Sequence, residues 1–126
     1  MINILITMEV PRHKVDEILY WYGKELFPWE EENFPKVGGR ILGVWSTMWG
    51  EMGEITILST YPNEEARRIK GPAMHADNEE ISKKFAKWQE YTPKGNRRVM
   101  RPAPYSPLQG LKLLDKDEVL DICSKL

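Results

Sequence analysis

Residues 39–61 read Gly39-Arg40-Ile41-Leu42-Gly43-Val44-Trp45-Ser46-Thr47-Met48-Trp49, then Gly50-Glu51-Met52-Gly53-Glu54, then Ile55-Thr56-Ile57-Leu58-Ser59-Thr60-Tyr61. Two runs rich in β-branched and aromatic residues flank a short Gly-bounded turn, which is the pattern of a β-hairpin. Side chains alternate across a strand, so a period of two predicts Trp45 and Trp49 on one face of the first arm. The rest of the chain reads as helix and strand recruited to cover this pair.

Upstream, Ile2-Asn3-Ile4-Leu5-Ile6-Thr7-Met8 is a first strand, nearly continuous in apolar character. Pro11 suits the opening turn of a helix, where its missing N–H costs nothing. Val15, Ile18, Leu19, Tyr22, Leu26 and Trp29 then recur at helical spacing, and Pro28 must kink or end that helix. Glu30-Glu31-Glu32 reads as a solvated acidic turn. Downstream, Asn63 caps a helix with Ala66 and Ile69 facing inward, and Gly71-Pro72 breaks it. A second helix starts near Asp77 or Asn78 and turns Ile81, Phe85 and Trp88 inward. Arg98-Val99-Met100-Arg101 is a last strand, Pro102 to Pro107 an extended strap, and Asp115 the cap of a short final helix with Val119, Ile122, Cys123 and Leu126 on one face.

The order is βαββαβ, an α+β ferredoxin-like arrangement: a four-stranded antiparallel sheet with helices on one face. Residues 1–102 form this domain, and 103–126 add a C-terminal strap and helix, within the same domain or as a dimer contact. Every choice of register leaves Ile, Val, Leu or Trp on the uncovered face, which predicts a second copy there and a symmetric homodimer.

Bulk properties exclude several function classes. With 126 residues the chain suits one domain, and a net charge of −1 offers no general attraction to nucleic acid or an anionic membrane. The single Cys123 rules out an intrachain disulfide, fits a reducing compartment and is expected to be a buried, inert thiol. The chain starts in a strand-like run with no signal-peptide pattern, and no apolar run approaches the ~20 residues that span a bilayer, so the expected location is cytoplasmic. There is no phosphate-binding Gly-rich loop, no Cys-x-x-Cys, no His-Glu-x-x-His and no Gly-x-Ser-x-Gly, and no metal site is expected.

In this order the sequence resembles the dimeric α/β-barrel superfamily and, within it, the NIPSNAP family. The residues that carry the resemblance are Gly43-Val44-Trp45-Ser46-Thr47 before a Gly turn, the strand ending at Tyr61, Ala66-Arg67-Arg68, and Val99-Met100-Arg101-Pro102-Ala103-Pro104-Tyr105-Ser106-Pro107-Leu108. They span about residues 40 to 108, and the tail after Gly110 has no counterpart. The family's third strand usually holds a bulky His or Trp before its Tyr; Ile57 and Ser59 stand here instead, which implies a pocket of different size. No reaction is attached to the family, whose members have vesicle or mitochondrial roles in higher cells. Cousins in the superfamily include cofactor-free monooxygenases, haem-degrading monooxygenases, isomerases and decarboxylases.

That layout implies a cavity between helices and sheet. The expected lining is Asn3, Trp45, Trp49, Tyr61, Arg67, His75 and Trp88. His75 is the group suited to proton transfer near neutral pH, with Asn3 and Tyr61 as further catalytic candidates. Asn3 can donate a hydrogen bond to a substrate or bound oxygen. Trp45, Trp49 and Trp88 can stack on a planar ligand, and Arg67 can hold an anionic or carbonyl group. Each also has a structural alternative: a surface histidine, an edge asparagine, core or interface tryptophans, and an Arg67–Glu64 ion pair. The expected function is binding or transforming a small planar, apolar molecule without a cofactor. The alternatives are a haem-binding or haem-degrading protein, with His75 as iron ligand, and a non-catalytic interaction module using the C-terminal segment.

Overall fold

The computed structural model describes residues 1–50 and 53–126; the tip of the Gly-bounded turn falls outside the described residues. Four strands, β1 (Ile2–Val10), β2 (Arg40–Ser46), β3 (Gly53–Tyr61) and β4 (Lys94–Met100), form one antiparallel sheet in the order β2-β3-β1-β4. The helices are α1 (Val15–Glu25), α2 (Phe27–Asn33), α3 (Gly71–Ala76), α4 (Glu79–Tyr91) and α5 (Lys116–Ser124). This is the α+β, ferredoxin-like βαββαβ fold that the element order predicts.

The alternation along the strands divides the sheet. Ile4, Met8, Ile55, Ile57 and Tyr61 point toward the helices, where Ile18, Tyr22 and Leu26 of the α1 stripe meet them, with Phe85 and Trp88 of α4 packed alongside. Opposite, the cross-strand neighbours Leu5 and Leu58 share the uncovered face with Thr7 and Thr56, whose hydroxyls lie 3.5 Å apart. Glu9, Glu54, Lys94 and Arg98 border a shallow concavity there. The uncovered face is therefore more polar than a register-independent reading suggests, because Thr and Glu alternate with the aliphatics and all fall on the same side.

Several local readings change. Leu42 has no Cα partner where the β2–β3 register shifts between Ile41 and Gly43, and β2 ends at Ser46. The period of two thus stops short of Trp49, which lies in the connection and is 86% exposed. Pro28 sits in the first turn of α2, so the first helical stripe breaks at Leu26 and restarts at once. Residues Ala66–Lys70 form a π-helical turn, and its wider winding rotates Ile69 outward to 65% exposure. Gly71-Pro72 opens α3 instead of ending a helix, since Pro is tolerated in a first turn.

The C-terminal segment contains a small hairpin, β5 (Leu108–Gln109) with β6 (Lys112–Leu113), turned by Gly110 in the left-handed region at φ 59°. A Cβ at Gly110 would meet the Met1 side chain and approach Thr60 Oγ1, so this turn leans on one end of the uncovered face. A full capping box starts α5, with Glu118 N–H donating to Asp115. None of its residues is buried, and Cys123 is exposed, contrary to the buried thiol expected from spacing. An apolar stripe yields burial only where another element meets it.

Candidate functional site

The helix break at Leu26 has a direct consequence for chemistry. Ile18, Tyr22, Leu26 and Glu30 are spaced four apart, and the Glu30 N–H donates to the Leu26 carbonyl at 3.1 Å, so the inward stripe continues across Pro28. Glu30 is consequently buried, at 7% exposure, within the helix-facing side of the molecule. Its neighbour Glu31 reaches outward to Arg40 at 3.6 Å. The acidic run is therefore a buried carboxyl beside two outward-turned ones, not a solvated turn.

Glu30 lines a cavity of about 690 Å³ between helices and sheet. Apolar walls come from Ile6, Ile57, Phe34, Phe85 and Trp88, while Tyr22, Tyr61, His75 and Arg67 bring polar groups to it. Burial pushes the Glu30 carboxyl up to about 7; the Tyr22 hydroxyl pulls it the other way and the Glu31 charge adds to the rise. Tyr22 OH and Glu30 Oε1 are both buried without a hydrogen-bond partner among the described residues. The two groups thus influence each other electrostatically in an arrangement short of hydrogen-bond geometry. Tyr22 is itself displaced far upward, by burial first and then by Glu30.

Tyr61 bridges the interior and the mouth. Burial and the Glu30 charge push its phenol up to about 12, against the pull of the Arg67 and Arg97 guanidiniums. Two glycines set its place. Gly38, at φ 78°, ends the turn over Phe34–Val37, and Gly39 lies so close under the Tyr61 ring that a Cβ would come within 2.7 Å of it. Phe34 packs against that ring, tilted, with the centroids 5.9 Å apart. Ser59, small and buried on the same strand face, lines the cavity where the resemblance implies a bulky side chain in relatives.

His75 is carried on α3, not in a loop. Its ring lies 4.6 Å from Phe85 and edge-on to Trp29 at 6.1 Å, and its Nδ1 is buried without a partner among the described residues. Arg67 is held by Glu64 through two contacts, 2.8 and 3.3 Å. Trp88 has Tyr22 at 4.7 Å and Trp21 stacked at 6.4 Å, so it serves as a wall with its ring largely engaged.

The structure brings Tyr61, Arg67, His75 and Trp88 together and places three other candidates elsewhere. Asn3 pairs across the ladder with Thr60 and points to the uncovered face, buried, with Oδ1 unpartnered among the described residues. Trp45 pairs with Thr56 on that same face and lies over Gly43, half exposed. Trp49 is solvent-exposed in the turn. Alternation decides the first two: a residue one step from an inward neighbour points outward. Sequence reasoning missed Glu30, although its spacing from Ile18, Tyr22 and Leu26 was the available signal. It also missed Arg68 and Arg97, whose approach to the cavity depends on a π-turn and on the register that sets Arg97 opposite Ile6 on the helix-facing side of β4. Among the described residues no group of three or more His, Cys, Asp or Glu is arranged to hold a metal ion.

Fold and cavity together define a ferredoxin-like α+β domain with a carboxyl-bearing pocket between its two layers. The NIPSNAP family profile matches residues 9–107, and the chain belongs to the NIPSNAP family. Comparison with curated protein sequences returns no significant match. Among solved structures, a NIPSNAP domain protein from Burkholderia xenovorans is 18% identical, with 82% of this chain and 96% of that one covered and a TM-score of 0.68. A NIPSNAP family protein from Agrobacterium tumefaciens is 17% identical, with 86% and 94% covered and a TM-score of 0.73. A Streptomyces coelicolor monooxygenase in complex with nanaomycin D is 11% identical, with 81% and 87% covered and a TM-score of 0.56. At these identities the likeness is one of fold. No described helix is long and apolar enough to cross a membrane.

Proposed function

We propose that this protein binds a small planar molecule in the cavity between helices and sheet and moves a proton on it without a cofactor, with Glu30 as the base. The observation that carries the reading is a buried carboxyl oxygen, unpartnered among the described residues, in a cavity of about 690 Å³ with mixed apolar and polar walls, a size within the range of small-molecule sites. A carboxyl group with a pKa of about 7 is half ionised near neutral pH, the condition a general base needs. Tyr61 stands ready to donate a hydrogen bond to the oxyanion that forms as the proton leaves. Isomerase-like and monooxygenase-like reactions both begin with this removal of a proton from an activated C–H or O–H, and monooxygenases share the fold.

The test is exchange of the α-protons of 2-tetralone, an enolisable ketone, in deuterated buffer, followed by NMR. The protein is expected to accelerate exchange and Glu30→Gln to lower the rate about 100-fold or more, with His75→Ala losing far less. Exchange no faster than in buffer despite binding leaves a binding protein and sinks the catalytic reading.

His75 supports a second reading, since its buried Nδ1 lacks a partner among the described residues and an imidazole can ligate haem iron. Hemin should then give a Soret shift that His75→Ala abolishes; an unchanged shift removes that reading. For the uncovered sheet face, we infer a second copy of the chain, as in a dimeric ferredoxin-like protein of similar fold.

A further inference from the structure

The mouth of the cavity differs from its floor. Arg67 and Arg68, consecutive on the π-helical turn, and Arg97 on β4 all line it, while Glu30 is the one acid lining it among the described residues. Arg67 is the only one of the three with an ion pair among the described residues, and its partner Glu64 is not among the residues lining the cavity. Its side chain is 18% exposed, so it is held in place rather than free in solvent. Arg97 is followed along β4 by Arg98, which borders the opposite concavity. The Arg67 and Arg97 charges lower the proton affinity of the Tyr61 phenol, whereas burial and the Glu30 charge raise it. The result is a slot of mixed apolar and polar walls with a buried carboxyl inside it and a cationic rim. Arg68 and Arg97 have no ion pair among the described residues, and like charges gathered at one mouth repel unless an anion joins them.

We propose that the ligand of this cavity is a planar compound bearing a carboxylate, its anionic group held by Arg67, Arg68 and Arg97 and its apolar body directed toward Tyr22 and Glu30. The inference rests on the cavity being a small-molecule site. A guanidinium presents parallel N–H donors that match the two oxygens of a carboxylate, and three of them impose both position and orientation on one end of the ligand. The opposite orientation would set the ligand's carboxylate against the Glu30 carboxylate in an apolar surrounding, where two like charges cannot both be kept. The rim therefore selects the charge of the ligand and decides which of its ends meets the base.

The probes are 2-naphthoate and its neutral counterpart 2-naphthamide, titrated by calorimetry. The acid is expected to bind at least about tenfold more tightly. That preference should shrink to about threefold or less in Arg68→Gln/Arg97→Gln, two exposed positions, and should fall as sodium chloride is raised. Equal binding of acid and amide by the unaltered protein, or a preference unchanged in the double variant, overturns the carboxylate inference and leaves the small-molecule site standing. Binding of neither probe overturns both.

Discussion

Glu30 keeps its proton in the folded chain to about pH 7, whereas the same carboxyl in an unfolded chain gives it up near 4.5. As pH rises between these values the unfolded state releases the proton first, so the folded state loses stability relative to it. Its contribution is full below about pH 4.5 and levels off above about 7, a change of ~3 kcal/mol at most. Urea midpoints measured across that window should fall for the natural protein and stay nearly flat at this step for Glu30→Gln. Parallel curves for the two proteins would show that Glu30 ionises as an ordinary surface carboxyl. Tyr61 illustrates how neighbours divide a residue's tasks: Gly39 and Phe34 hold its ring, while Glu30 and two arginines act on its hydroxyl.

The elements that matter most are those that break regularity. Pro28 interrupts the α1–α2 stripe without turning it, and so delivers Glu30 inward. The π-turn at Ala66–Lys70 brings two consecutive arginines to the cavity and turns Ile69 away. By contrast α4 is an ordinary amphipathic helix. The sequence leaves its start at Asp77 or Asn78, and the structure selects Asn78, whose Oδ1 accepts from the Ile81 N–H at 3.2 Å; Ile81, Phe85 and Trp88 turn inward as spaced. Asn78→Ala should cost about 1 kcal/mol, read as a lower thermal midpoint. Because α4 carries the cavity walls Phe85 and Trp88, affinity for 2-naphthoate should drop modestly with it. A midpoint equal to that of the natural protein would mean the cap adds nothing to the helix.

The whole molecule is a sheet with two unlike faces. One carries the aliphatic core and the cavity. The other holds Leu5, Leu58 and Trp45 among threonines and charges, with the C-terminal turn at Gly110 leaning on one end. With a second copy seated there, Leu58→Arg would bury an unpaired charge in the contact. Light scattering should give a dimer for the natural protein and a monomer for this variant, with circular dichroism unchanged. Removal of residues 110–126 asks whether α5, which has no buried residue within its own chain, also belongs to that contact. A shortened chain that remains dimeric assigns the pairing to the sheet alone.

From the residue order alone came the βαββαβ succession, the hairpin, the Asn63 and Asp115 caps, a helix start near Asp77 or Asn78 and the family resemblance, because strand alternation, helical spacing and capping are local properties. Tyr61, Arg67, His75 and Trp88, which line the cavity, were legible through the layout the resemblance implies and through their side-chain chemistry, not through an inward stripe. Tertiary structure alone decided that Asn3 and Trp45 face away, that Cys123 is exposed, and that Glu30 meets Tyr61 below a rim of three arginines. The physical reason is that burial belongs to no residue by itself. A carboxyl has a raised pKa, and an arginine a place at a cavity mouth, only once distant segments have closed around them and excluded water.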